Sequence, residues 1–389
     1  MAPVLEVIAH PTGPWLVKAG NIQYAVPPRL GQALRPLAGR VPECGELRTC
    51  LANAQAGYAD DISTPEIETW VCELSRALMP GSEKMNGRAR WRQAGRTIRF
   101  RVPLVPASVV QRLAGVLQVL AGNRGLAALG LLGGTGYLTA GYLFAGGGLG
   151  SGQVGFSLDL GGAAAGLGLF LLTAVWHELG HAAALARSGY PPGGIGAGVL
   201  FVIPVLFADV TAMGALERGG RIRVDVSGTI FQLGLGGTFM ALAGWNILAP
   251  VMMLAASSAL LAISWSLFPF IRSDGYWLLC DLLGLEDLDR PPSKPISKRL
   301  RVFLVGYQIT NAAFLLVVGV YFPLRMIGLL LGLIPRLGVP VDSETAKWIA
   351  AAAGVVFLGM MGIGITRRIV ILLRSARAVA KGPPGGLRF

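Results

Sequence analysis

Leu169-Phe-Leu-Leu-Thr-Ala-Val-Trp-His-Glu-Leu-Gly-His181 sets two histidines and a glutamate at the end of an otherwise apolar run. The run 162–185 around it is long enough to cross a hydrocarbon core as a helix. Ionisable groups inside such a segment are costly and mark functional sites. The chain holds only three histidines, and two of them stand here, four residues apart. On a helix that spacing puts both imidazoles on one face.

Working outward, further apolar runs appear at about 126–146, 226–248, 251–271, 302–322 and 349–366. With 162–185 they make six expected transmembrane helices. The run 195–208 is too short to cross and contains Pro204, so it reads as a re-entrant or interfacial segment. Gly130, Gly133, Gly134, Gly136 and Gly141 give the first span a texture suited to close helix approach. Residues 106–124 read as an amphipathic connector, and 376–389 as a basic tail. Charged residues make up 14% of the chain, well below the usage of a soluble domain.

Charge orients the spans. Lys and Arg outnumber Asp and Glu by 34 to 21. With the N-terminus inside, all but three of the basic residues (Arg325, Arg336 and Lys347) fall on the cytoplasmic side. The positive-inside rule therefore expects a multi-pass cell-membrane protein with both termini in the cytoplasm. The same pattern explains the net +13 without a nucleic-acid partner, which is the less favoured reading. Cys44, Cys50, Cys72 and Cys280 form no CxxC pair and read as reduced thiols. The first hundred residues hold no long apolar run, so no cleavable signal peptide is expected.

Residues 1–105 read as a small soluble α+β domain. Trp15–Val17 and Ile22–Val26 suggest strands, and Pro28–Leu37 and Glu46–Ala54 suggest helices. Ser63-Thr-Pro-Glu66 is a capping box that starts a third helix over about 64–78. Arg90–Arg92 and Thr97–Arg101 suggest a basic hairpin. Together these elements make a winged-helix-like arrangement.

His177-Glu-Leu-Gly-His181 is an HExxH motif, in which two imidazoles bind one zinc. Glu178, beside the first ligand, is placed to take a proton from a zinc-bound water and pass it to the leaving amine. A catalytic zinc takes three protein ligands and keeps a fourth position open. The better third candidate is Asp274 in Phe268-Pro-Phe-Ile-Arg-Ser-Asp-Gly-Tyr-Trp277, at the cytoplasmic end of the fourth span. Asp209, in Leu206-Phe-Ala-Asp-Val-Thr211, is the alternate. His10 lies in the soluble domain and is a poor ligand candidate. Gln308, Thr310 and Asn311 in the fifth span suit interhelical hydrogen bonds or the lining of a substrate path.

HELGH on a span, followed some ninety residues later by Pro-Phe-x-x-x-Asp-Gly-Tyr, resembles the site-2 protease family of intramembrane zinc metallopeptidases. The phrasing is similar to the bacterial branch of peptide zinc metalloproteases, over about 125–290. The resemblance implies a transmembrane metalloprotease domain over 125–375, with His177, His181 and Asp274 as Zn2+ ligands and Glu178 as general base. The family often carries Asn before the Pro of the second motif. Here Phe268 stands there, which leaves that polar contact without a counterpart. Residues 195–214 correspond in place to the family's re-entrant elements, with a content suited to pairing with an extended substrate. The N-terminal region resembles, less specifically, winged-helix elements that bind leader peptides. A packing or regulatory role and DNA binding are the other readings of that domain.

The function expected is a zinc endopeptidase acting on a peptide or membrane-protein substrate at the bilayer, with an exporter or precursor peptide among its partners. A non-catalytic zinc-binding partner in peptide maturation or export is the alternative. The retained Glu178 favours the enzyme, since a scaffold needs the ligands and not the base. A pure transporter is disfavoured, because no internal repeat is found.

Overall fold

The computed structural model describes residues 4–9, 15–19, 22–26, 28–55, 71, 74, 98–145, 159–200, 203–292, 295–333, 348 and 365–380. The chain divides into two compact units. The first takes in the N-terminal region and most of the chain from 103 to 263. The second takes in 264–389 with the short pieces 94–102 and 197–205.

The N-terminal sheet is antiparallel, in the order β1 (Leu5–Ile8), β2 (Trp15–Ala19), β3 (Ile22–Val26). The expected β2 and β3 are present, and β1 is an addition. Helices α1 (Pro28–Leu34) and α2 (Cys44–Gln55) follow, with a 3-10 turn at Arg35–Leu37 where Pro36 ends α1. Alternation along β2 divides its side chains between two cores. Trp15 and Val17 join Leu5, Leu30, Leu34, Leu47 and Leu51 on one face. Leu16 points the other way and is 1% exposed. It packs among Ala183, Ala184, Leu185, Tyr190, Met213 and Phe231, in the body of the apolar helices. Ile8, opposite Leu16 in the register, joins the same cluster. Both faces of this sheet are therefore covered. Val71 and Leu74, from the expected third helix, are helical and buried in the first core. The rest of that helix, the strand 90–92, His10 and Cys72 lie outside the described residues.

A second sheet has the order β4 (Ile98–Val105), β5 (Ile195–Leu200), β6 (Ile203–Ala208). Residues 98–101 of the expected basic strand are thus part of a longer strand whose described neighbour is β5. Within 195–208, β5 and β6 lie side by side as the two arms of a hairpin. Its β-branched residues and exposed Pro204 suit an edge strand, where a missing N–H costs no ladder bond.

Among the described residues, five helices are long and apolar enough to cross a membrane. They are α4 (Asn123–Ala145), α5 (Leu160–Arg187), α6 (Arg218–Gly244), α7 (Ala249–Ser266) and α9 (Lys298–Leu333). They coincide with the first five expected spans, and the sixth, 349–366, lies outside the described residues. Leu131, Leu138 and Leu261 are 70%, 75% and 72% exposed. So much bare leucine on long apolar helices fits lipid as the surrounding solvent. The chain is accordingly read as a membrane-associated, mostly helical protein.

Within the first unit, α4 and α6 cross closely. A side chain at Gly136 would run into the Gly237 backbone, and one at Gly237 into that of Gly133. Small residues allow this approach, and dispersion then holds the pair. Tyr137 Oη donates to the Ala256 carbonyl at 2.8 Å, tying α4 to α7. The amphipathic connector forms α3 (Ala107–Leu117), which buries Val110 and Ala114 against Leu179 and Ala182 of α5. The second unit holds α8 (Asp274–Leu283), α9 and a helix over 365–380, here α10.

Candidate metal centre

Helix α5 starts where Asp159 accepts a bond from the Gly162 amide at 2.7 Å, an N-cap. It then runs unbroken through the HExxH motif. His177, Glu178 and His181 are all buried, at 7%, 9% and 6% exposure. The two Nε2 atoms face each other at 3.0 Å. Their rings meet edge to face, with centroids 4.8 Å apart.

The protonation of both rings follows from their other nitrogens. His181 Nδ1 lies 2.7 Å from the Val224 carbonyl, which can only accept. Its proton is therefore on Nδ1, and Nε2 carries a lone pair. His177 Nδ1 lies 2.9 Å from Gln232 Oε1. The Gln232 amide is oriented in turn by Thr173. The Thr173 hydroxyl donates to the Phe170 carbonyl at 2.7 Å and accepts from Gln232 Nε2 at 3.3 Å. The amide oxygen consequently faces His177, whose proton is also on Nδ1. Two lone pairs then converge at 3.0 Å, which is repulsive in an apolar interior unless a cation or proton lies between them. This donor set suits a divalent metal, and the outer contacts are of the kind that orient imidazole ligands.

Helix α6 lies directly against the ligand face. A Cβ at Gly228 would overlap the His181 ring, so only glycine lets the helices approach this closely. Glu178 points to the hairpin, where Oε2 accepts the Ala208 amide at 2.6 Å. That bond fixes the carboxylate beside the histidines, at the end of β6.

The two candidate carboxylates differ in their surroundings. Asp209 serves local structure. Its Oδ1 accepts from the Thr211 amide at 3.2 Å and from the Thr211 hydroxyl, holding the 3-10 turn Thr211–Ala215. Its backbone also exchanges bonds with Gly193 and Gly194. Asp274 opens α8, in the first helical turn after Ser273. Ser266 Oγ donates to Asp274 Oδ2 at 2.6 Å. The reversal from α7 is tight: a side chain on Gly275 would meet the Leu267 carbonyl. The neighbours of Asp274 enter an ion cluster. Arg272 bonds Asp287 at 2.8 Å and Asp289 at 3.0 Å, and Arg368 bonds Asp289 at 3.0 Å. Tyr276 donates to Asp287. Burial, with Asp289 close by, pushes the Tyr276 hydroxyl well above its ordinary range, so it stays a donor.

Phe268, directly before Pro269, packs on Phe270 and Phe314. Gln308 is fully buried and bonds the Leu288 carbonyl and Ser375. These contacts make Gln308 an interelement tie. No protein-family model, curated protein or solved structure matches the chain.

Proposed function

We propose that the chain is an intramembrane zinc metalloendopeptidase of the site-2 protease type, acting on a peptide or membrane-protein substrate. The observation that carries the reading is the converging Nε2 pair of His177 and His181, with both Nδ1 protons committed to oxygen acceptors. Asp274 supplies the third ligand, completing the two-imidazole, one-carboxylate set that hydrolytic zinc sites use. Asp209 is the weaker candidate, because its Oδ1 already accepts both the amide and the hydroxyl of Thr211, whereas Asp274 accepts the Ser266 hydroxyl at Oδ2.

A zinc ion held there would polarise the scissile carbonyl and make water a better nucleophile near neutral pH. The residues of the chain do the rest. Glu178 takes the proton of the attacking water and returns it to the leaving amine. The Ala208 amide holds Glu178 in one rotamer. β6 pairs with β5 alone among the described strands, so its other edge is suited to an extended peptide. Such a peptide would run toward Ala208 and hence toward the base. The apolar wall of α5 and α6 keeps bulk water out.

The purified protein, incubated with a mixed peptide library, is expected to cleave at defined bonds read by mass spectrometry. Glu178→Gln keeps the side chain's size and removes the base. Its rate should fall by about 10²–10⁴ while metal content stays unchanged. Unchanged cleavage by Glu178→Gln would overturn the protease reading. A protein that binds zinc and cleaves nothing would be the non-catalytic maturation or export partner.

A further inference from the structure

We propose that the partly buried cluster Arg272, Asp287, Asp289 and Arg368 is a positioning device for Asp274, through which α10 governs how tightly the metal is held. The proposal rests on the reading of Asp274 as a ligand. Arg272 lies two residues before Asp274 and Tyr276 two residues after it. Both grip the same pair of carboxylates. Arg272 reaches Asp287 and Asp289, while Tyr276 donates to Asp287 and receives the Asp289 amide at 3.1 Å. The ligand turn is thus clasped on either side by one cluster.

The cluster is anchored from a distant part of the sequence. Arg368 on α10 places Nε 3.0 Å and Nη2 3.3 Å from the two oxygens of Asp289. Asp289 is 2% exposed and Arg368 7%. Burying these charges is expensive, and apolar side chains of similar size would hold a fold as well or better. What charges add is directional specificity, and here it falls on the turn that carries a ligand. The local backbone agrees. Ser266 fixes the carboxylate's rotation, and Gly275 lets the turn close on Leu267. Arg368 and Asp289 touch no reacting group in this scheme, so they are positioning residues.

The test uses full-length protein in detergent, taking only the monodisperse fraction. Two properties are measured: zinc affinity by chelator competition, and the visible spectrum after loading with Co2+ alone. Asp289→Asn and Arg368→Met are expected to weaken zinc binding by about 10- to 100-fold and to alter the cobalt bands, as loss of outer-shell support does. Arg368→Lys keeps the charge and should recover part of the affinity. Arg367→Met, at an exposed neighbour on the same helix, should match the wild type. If Asp289→Asn gives no monodisperse protein, Arg368→Lys and Arg368→Met carry the comparison. Variants with wild-type affinity and spectrum would overturn the proposal while leaving the metal site in place. Wild-type protein that binds neither ion would overturn the metal reading itself, and this proposal with it.

Discussion

His177 and His181 can act together because each has its second nitrogen taken up elsewhere. The Val224 carbonyl and the Gln232 amide oxygen hold the two Nδ1 protons, and Thr173 keeps the amide from turning over. Replacing Gln232 by Leu should free the His177 ring and leave its tautomer unset. Zinc affinity, measured by chelator competition, is expected to fall about 10- to 100-fold. Gln232→Glu, which still offers an acceptor, should lose less. Equal affinity in both variants would show that the tautomer is set in another way. The histidine pair and its glutamate were legible as a candidate site in the sequence, because they lie within five adjacent residues. Gln232 and Val224 were not, since they stand 55 and 43 residues away and meet the histidines only after α6 packs on α5. One signal was available: a glutamine within an apolar span asks for a partner.

At the scale of elements, the apolar runs predicted the five long helices among the described residues, because length and hydropathy are local properties. Boundaries moved where charge allowed it. Helix α6 begins at Arg218, about two turns before its apolar run. The segment 195–208 was correctly excluded as a span, yet a hairpin needs its partner strand β4, nearly a hundred residues earlier. Helix α8 went unexpected because its sequence follows directly on the Asp-Gly motif, which reads equally well as a turn. Glycine spacing announced close packing in α4 without identifying the partner. The structure separates two neighbouring glycines, since a side chain at Gly136 meets the Gly237 carbonyl and one at Gly134 meets nothing within 4 Å. Gly136→Val should force the α4–α6 pair apart and cost about 1–3 kcal/mol. Gly134→Ala should be neutral. Thermal unfolding in detergent distinguishes them, and equal melting temperatures would contradict the packing described.

At the scale of the whole molecule, the N-terminal region divides into what sequence can and cannot show. Its second and third strands and first two helices follow from alternation and turn residues, and β1 does not. Its attachment does not: Leu16 is one apolar residue among many until it is found buried beside Tyr190, Met213 and the residues just after His181. The sheet is therefore built into the body that carries the histidines. Leu16→Ala should destabilise the protein by about 2–5 kcal/mol, as for other buried leucines, and lower the yield of metal-bound protein. A melting temperature unchanged from wild type would mean that the sheet is an independent module. The histidine pair lies in the same apolar helical body as Leu16, so the proposed metal site and the sheet share one core. The most direct measurement is metal content of the purified full-length protein by mass spectrometry, beside His181→Ala. About one zinc per chain is expected in the wild type and a strong loss in the variant, as for a single three-ligand site. Zinc retained at the same level after His181→Ala, or none taken up by the wild type, would contradict a metal centre at this motif.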